Sequence, residues 1–288
     1  MQASFPREAR VKRGMVDFEL PLATKLRKQM TSCLAEFGML EDGDRVMVCC
    51  SGGKDSSLLL ALMSEVQKRA PFNFEVEAVM LDQKQPGFDA SAFKAWVAGL
   101  GLKLTIIERD TYSIVKEKVV NGTYCSLCSR LRRAILYDHA VHHKFTKLAL
   151  GHHRDDLNQT LLLNLFYSGK ISSMPPKLKS DDGRNILIRP LAMIAEDDLK
   201  QLAKAWDIPI IPCNLCGSQT GMKRQMVKQW LRDMESQIPG VHSSMLTAQT
   251  NVRASQLADQ ELWDFSGLRA DGEGTGIKVD HFTGMDAQ

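Results

Sequence analysis

The chain has 288 residues, 44% of them hydrophobic and 25% charged, with a formal net charge of +3. That make-up excludes a disordered, collagenous or bare coiled-coil chain and provides for one large domain, or one domain with a small appendage. No stretch approaches the roughly 18 consecutive apolar residues of a membrane span, and the charges at Arg7, Glu8, Arg10, Lys12 and Arg13 precede no apolar signal core, so a cytosolic protein with no membrane partner is expected.

In chain order, the amphipathic residues 21–37 predict a leading helix. Residues 45–50 (RVMVCC) form a short apolar run that ends at Ser51-Gly52-Gly53, and Leu59, Leu62, Met63 and Val66 then recur at helical spacing: strand, glycine turn, helix. Residues 74–81 predict a second strand, 91–100 a helix, 102–107 a third strand, 147–151 a fourth strand and 155–166 another helix. Strands alternating with helices imply an α/β fold, a doubly wound and mostly parallel sheet covered on both faces. After Ile188 the pattern turns helical, at 195–206, 224–234 and 243–254, while 180–184 (SDDGR) is a turn between strands or a loop tip. The expected organisation is a helical extension over 1–40, a motif-bearing domain over 41–265 and a glycine-rich, poorly ordered tail over 266–288.

Ser51-Gly52-Gly53-Lys54-Asp55-Ser56 falls at the carboxyl end of the first strand and runs into a helix N-terminus, where open N–H groups and the helix dipole favour an anion. Glycines let the backbone approach phosphate oxygens, Ser51 and Ser56 add hydroxyls, and Lys54 adds a cation. An acid beside phosphates needs an intervening cation, so Asp55 suggests Mg²⁺. Neither the Walker spacing nor G-x-G-x-x-G is present in this turn. The turn resembles the PP-loop, S-G-G-x-D-S, of the ATP pyrophosphatase superfamily, whose members split ATP between the α and β phosphates. Gly151-His152-His153-Arg154-Asp155-Asp156 follows the fourth strand and resembles the G-H-x-x-D-D segment that faces the PP-loop there. Asp155 and Asp156 are placed to cap the next helix and to accept Mg²⁺ or orient substrate; N-capping acids beside solvated histidines are the plainer reading.

Seven cysteines, two of them adjacent at Cys49 and Cys50, make a poor disulfide framework and favour reduced thiols. Cys49 and Cys50 are expected to be buried small hydrophobes, and Cys33 has no evident partner. Cys125-Ser126-Leu127-Cys128 and Cys213-Asn214-Leu215-Cys216 are two C-x-x-C pairs. A four-cysteine Zn²⁺ site, an iron–sulfur cluster and a redox disulfide are all compatible with such spacing. Arg130, Arg132 and Arg133 follow the first pair, and Lys223, Arg224, Lys228 and Arg232 follow the second; they suit either polynucleotide phosphates or solvated helix faces. Lys12, Arg13, Lys177 and Lys179 are weaker candidates on a terminus and a loop.

Taken together, S-G-G-K-D-S, C-S-L-C-S-R-L-R-R, G-H-H-R-D-D and P-C-N-L-C-G-S-Q resemble the tRNA 2-thiocytidine synthetase family over roughly residues 18–265. The resemblance implies a [4Fe-4S] cluster on Cys125, Cys128 and Cys216, with ATP as cosubstrate and Mg²⁺ as its counter-ion. It implies thiolation of cytidine 32 in a tRNA anticodon loop, with a cysteine desulfurase as upstream sulfur donor. Lys54 or Arg132 would then neutralise phosphate charge, and Asp55, Asp155 and Asp156 would serve the metal or substrate. A homodimer is compatible with this reading. Two other readings remain open: an ATP-dependent amidation or lysidine-type ligation of tRNA, and an iron–sulfur RNA-binding redox sensor that holds ATP only as a structural ligand.

Overall fold

A computed structural model of the chain describes residues 16–118, 124–211 and 220–269. In chain order its elements are α1 (Pro21–Glu36), β1 (Asp44–Cys50), α2 (Lys54–Arg69), β2 (Phe74–Asp82), α3 (Ser91–Gly99), β3 (Leu104–Glu108), α4 (Thr111–Lys118) and α5 (Tyr124–His142). They continue with β4 (Lys147–Ala149), α6 (Arg154–Ser168), β5 (Lys177–Lys179), β6 (Ile186–Ile188), α7 (Glu196–Ala205), α8 (Thr220–Gln237) and α9 (Val241–Gln249). The strands form one sheet in the order β3-β2-β1-β4-β6-β5, parallel throughout except for the β5/β6 pair.

From β1 the chain moves outward through β2 to β3, then returns to place β4 on the other side of β1. Strand order therefore reverses between β1 and β4, and the crevice beyond their carboxyl ends is where open α/β sheets take ligands. Right-handed crossovers in opposite directions send their helices to opposite faces, so α2 covers one face and α5 the other. Strand alternation agrees. Met47 and Cys49 of β1 cluster with Val79 of β2, Leu136 and Ala140 of α5, Leu148 of β4 and Leu187 of β6. Val46, Val48 and Cys50 point the other way, toward α2, which contacts β1 and β2 and buries Leu58, Leu59, Leu60, Leu62 and Met63 completely.

Helix α1 begins with Pro21, whose fixed φ and missing N–H suit a first helical position, and buries Ala23, Leu26, Met30, Cys33 and Leu34 at three- and four-residue spacing against α2 and α7. The indole of Trp206, just after α7, donates to the carbonyl of Asp17 at 3.1 Å and meets the Phe18 ring edge-on.

The alternating strand and helix pattern is borne out, with three differences. Lys177 and Lys179 lie in β5, paired with β6 around the turn at 180–184, not in a loop; each strand is three residues long, too short for a period-2 pattern to register. Helix α9 stops at Gln249 rather than reaching 254, and a single 3-10 turn follows at Ala254–Gln256. Helix α4 has little sequence signal, because among its described side chains in TYSIVKEK only Thr111 and Val115 are buried. The glycine-rich segment beyond 269 and the basic residues Lys12 and Arg13 lie outside the described residues. The chain divides into two units, one reaching to His242 and carrying the whole sheet, the other starting at Ser243 and holding the end of α9 and the 3-10 turn.

Candidate active site

The turn after β1 depends on Gly52. Its φ is +78°, and a Cβ there would lie 2.8 Å from Cβ of Ile211, whose N–H donates to the Gly52 carbonyl at 2.9 Å. Gly53 caps α2 with no side chain, so the N–H groups of Lys54, Asp55 and Ser56 precede the first helical bond, from Ser57 N–H to the Gly53 carbonyl at 3.2 Å. The hydroxyls tie the turn together: the Ser51 N–H donates to Ser56 Oγ at 3.1 Å, and Ser57 Oγ donates to the Gly53 carbonyl at 2.9 Å. Lys54 Nζ donates to both carboxylate oxygens of Asp55 at 2.8 Å.

Gly151, two residues past β4, presses its backbone against this turn. A Cβ on Gly151 would sit 2.9 Å from the Ser56 nitrogen and 3.0 Å from the Asp55 carbonyl carbon. These are main-chain atoms that no rotamer change moves, so only glycine lets the two motif segments lie side by side. The next residues open α6. The His153 N–H donates to Asp156 Oδ2 at 3.2 Å, and His153 Nε2 stands 3.4 Å from that same oxygen and 4.0 Å from Asp55 Oδ1. Carboxylates from the two motifs thus converge on one ring nitrogen.

Asp155 is turned inward. Its Oδ2 accepts the Glu196 N–H at 2.9 Å, and its Oδ1 lies 3.5 Å from His242 Nδ1. Glu196, the first residue of α7, places its carboxylate 2.7 Å from Lys228 Nζ, 3.3 Å from Lys200 Nζ and 3.7 Å from Lys54 Nζ. Burial raises the Glu196 pKa, but the hydrogen bond and charge of Lys228, with those of Lys200, outweigh it and bring the carboxyl down to about 2. Glu196 therefore braces both motifs, its N–H holding Asp155 and its carboxylate facing Lys54. Sequence reading missed it, since an acid at a helix start ordinarily serves the dipole. His152 is drawn down to about 4 by burial and by the charge of Arg189, so it is neutral near pH 7.

On the other face, Cys125 and Cys128 fall in the first turns of α5. The Cys128 thiol donates to Gln83 Oε1 at 3.2 Å, and Gln83 directly follows β2 on the same carboxyl edge. Arg132, one turn further along α5, lowers the pKa of the Cys49 thiol, but burial dominates and pushes it up to about 12. Burial also pushes up the thiols of Cys50 and Cys33; Cys49 and Cys50 are the buried, inert thiols expected, and Cys33 is buried as well, its thiol donating to the Arg189 carbonyl at 3.9 Å. Cys213, Cys216 and the side chain of Cys125 lie outside the described residues. Among the described residues no three His, Cys, Asp or Glu side chains gather as a metal cage. A soft thiolate set suits an iron–sulfur group, and its described member, Cys128, fits it by lying at the sheet edge that carries the PP-loop.

The basic residues divide. Lys228 is engaged by Glu196, Arg224 donates to Thr160 Oγ1 at 3.2 Å, and Lys223 lies 4.4 Å from the centre of the Tyr167 ring. Arg133 and Arg232 are exposed and Arg132 is half-buried.

A glycine turn that opens a helix at the reversal of strand order, with an acidic second segment beside it, defines a PP-loop protein, and residues 22–214 match the family described as the PP-loop domain. The U34-tRNA thiolase NcsA from Methanococcus maripaludis, solved with its [4Fe-4S] cluster, shares this fold with a TM-score of 0.65 at 23% identity, covering 80% of this chain and 78% of that one. Nearer relatives are the tRNA-cytidine(32) 2-sulfurtransferase of Bdellovibrio bacteriovorus, 62% identical over 89% of this chain and 99% of that protein, and that of Hahella chejuensis, 55% identical over 84% and 86%. The chain belongs to the tRNA-cytidine(32) 2-sulfurtransferase family.

Two outcomes follow from the geometry. Gly151→Ala forces apart the turn after β4 and the start of α2, so ATP affinity measured by calorimetry should fall on the order of 10- to 100-fold while the circular dichroism spectrum is retained. Glu196 has a folded-state pKa of about 2 against an ordinary 4.5, so its contribution to stability is full above the ordinary value and is lost as pH falls through about 2. Urea denaturation of wild type and Glu196→Gln should therefore show a stability gap at pH 7 that narrows between pH 4.5 and 2.

Proposed function

We propose that the protein is an ATP-dependent tRNA sulfurtransferase that replaces the C2 oxygen of cytidine 32 in the anticodon loop with sulfur, forming 2-thiocytidine. The observation that carries this reading is the contact of Gly151 with the first turn of α2, which joins two phosphate-facing segments on the edge where Cys128 also lies. The family relation supplies the substrate.

The C2 oxygen of cytosine is a poor leaving group. Attack of that oxygen on the α-phosphorus of ATP forms a C2–O–adenylate and releases pyrophosphate; sulfide then adds at C2, and AMP departs with the oxygen. The open N–H groups of Lys54, Asp55 and Ser56 at the positive end of α2 hold the polyphosphate with Gly52, Gly53 and the Ser51 hydroxyl, while Gly151 and His152 border the nucleotide. Lys54 neutralises charge on the β and γ phosphates, held near its task by Glu196. Arg132 does so from the α5 side. Asp55 and Asp156 offer hard oxygen donors to Mg²⁺, an ion commonly held by one or two carboxylates plus substrate phosphates. Asp155 aligns α6 through the Glu196 N–H. A [4Fe-4S] cluster on Cys125, Cys128 and Cys216 would supply a Lewis-acidic iron to carry sulfide to the base. A cysteine desulfurase is the class of reaction that provides that sulfur. An anticodon-loop base is cheaper to expose than one in a duplex, which suits a chain recognising shape and a splayed-out pyrimidine.

Anaerobic reconstitution with iron and sulfide, followed by incubation with unmodified tRNA, ATP and sulfide, tests this reading by pyrophosphate release and nucleoside analysis. Pyrophosphate release should require tRNA, and 2-thiocytidine should appear at position 32. Asp55→Ala should lower product formation on the order of 100- to 1,000-fold, and Cys125→Ala, Cys128→Ala and Cys216→Ala should abolish it without preventing folding. Absence of tRNA-dependent pyrophosphate release would support a sensor instead. Incorporation of an amine by cluster-free protein would support a ligase.

A further inference from the structure

Arg189 directly follows β6, the neighbour of β4, and is only 6% exposed. One end of its guanidinium, Nη1, donates to the Pro175 carbonyl, while Nε is buried with no acceptor. Among the described residues no carboxylate pairs with it; burial lowers its pKa, and the Tyr137 phenol of α5, itself neutral at ordinary pH, is the one titratable neighbour that opposes this. Leu187, two residues earlier, packs with Leu136 and Ala140 of α5, so strand alternation turns Arg189 to that same face. There its charge acts on Tyr137 and on His152. His152 also has a buried ring nitrogen, Nδ1, without a hydrogen-bond partner. Arg132, on α5 and within electrostatic reach of Cys49 at the end of β1, brings a second guanidinium to this edge of the sheet.

An unpaired cation buried in a fold is unfavourable, and an apolar side chain of similar size would serve packing better. A guanidinium left with an unsatisfied donor at the ligand-binding edge of the sheet has an anion as its natural complement.

We propose that Arg189, beside His152, forms a phosphate-binding subsite on the α5 face of the carboxyl edge. The proposal rests on the function above for its two sources of phosphate: the α-phosphate of the nucleotide and a tRNA phosphodiester next to the splayed-out cytidine. Both offer the same chemistry to a guanidinium fork. Sequence reading passed over Arg189 because an arginine before a proline, after a three-residue apolar strand, has no pattern to mark it.

The test uses the full chain with Arg189→Met and Arg189→Lys. AMP and adenosine are titrated by calorimetry, an unmodified tRNA transcript is titrated over a salt series, and thermal unfolding is recorded for each variant. Arg189→Met should keep or raise the Tm, because it removes an unpaired buried charge, and should weaken one phosphate probe by about 10- to 100-fold. A loss for AMP with adenosine unchanged assigns the subsite to the nucleotide. A loss for tRNA, with the slope of log K against log salt reduced by about 1, assigns it to the phosphodiester. Unchanged affinity for both probes overturns the proposal, as does a joint loss of both affinities with a lowered Tm that Arg189→Lys fully restores, which would make Arg189 a brace for the Pro175 carbonyl. If Arg189→Met does not fold, Arg189→Lys decides: at wild-type Tm, weaker binding of one probe supports the subsite and unchanged binding of both overturns it. None of these readouts needs turnover, so a failure to form 2-thiocytidine and a failure of the subsite are seen separately.

Discussion

The absence of a side chain at Gly151 governs the site. Any Cβ there would stand within 3.0 Å of the Asp55 and Ser56 main chain, so the approach of the two motif segments is a backbone-to-backbone contact that side-chain repacking does not restore. The sheet prepares it. Parallel pairing sets Val46 opposite Lys147 and Val48 opposite Ala149, so β1 and β4 release their chains at the same edge, where strand order reverses. Gly52 does the complementary task on the first segment, taking a left-handed turn against Ile211 that aims the start of α2 into the crevice.

Charge then fixes what sterics permits. Glu196 links the segments through two different groups, its N–H to Asp155 and its carboxylate toward Lys54, Lys200 and Lys228. The buried carboxylate is held well below the usual range by Lys228 and Lys200, and it faces Lys54 beside the turn after β1 without consuming the Lys54 bond to Asp55. On the α5 face, Arg132 is half-buried and Arg189 buried, and among the described residues no carboxylate pairs with either, so the two sides of the crevice differ in electrostatic character.

Much of this was legible in the sequence. The glycine turn reads clearly because an apolar strand, two glycines and a helical period occur in unbroken order over residues 45–66. The segment 151–156 reads for the same reason. What the sequence could not display was the service of residues whose partners lie far along the chain. Glu196 looks like a helix-start acid, yet its partners are at 54, 155 and 228; Lys228 looks like an RNA contact, yet it is turned to Glu196. The β5–β6 hairpin was hidden by its shortness, and α4 by its polar face. The resemblance to the thiocytidine family came from four short motifs, and it is the family to which the chain belongs.

Amide hydrogen exchange with and without an ATP analogue probes the joining of the two segments most directly. If they form one nucleotide pocket, the analogue should slow exchange at residues 52–57 and at 151–156 together, with the same concentration dependence, and Gly151→Ala should remove both effects. Protection confined to one segment, or the two segments saturating at different analogue concentrations, would contradict it.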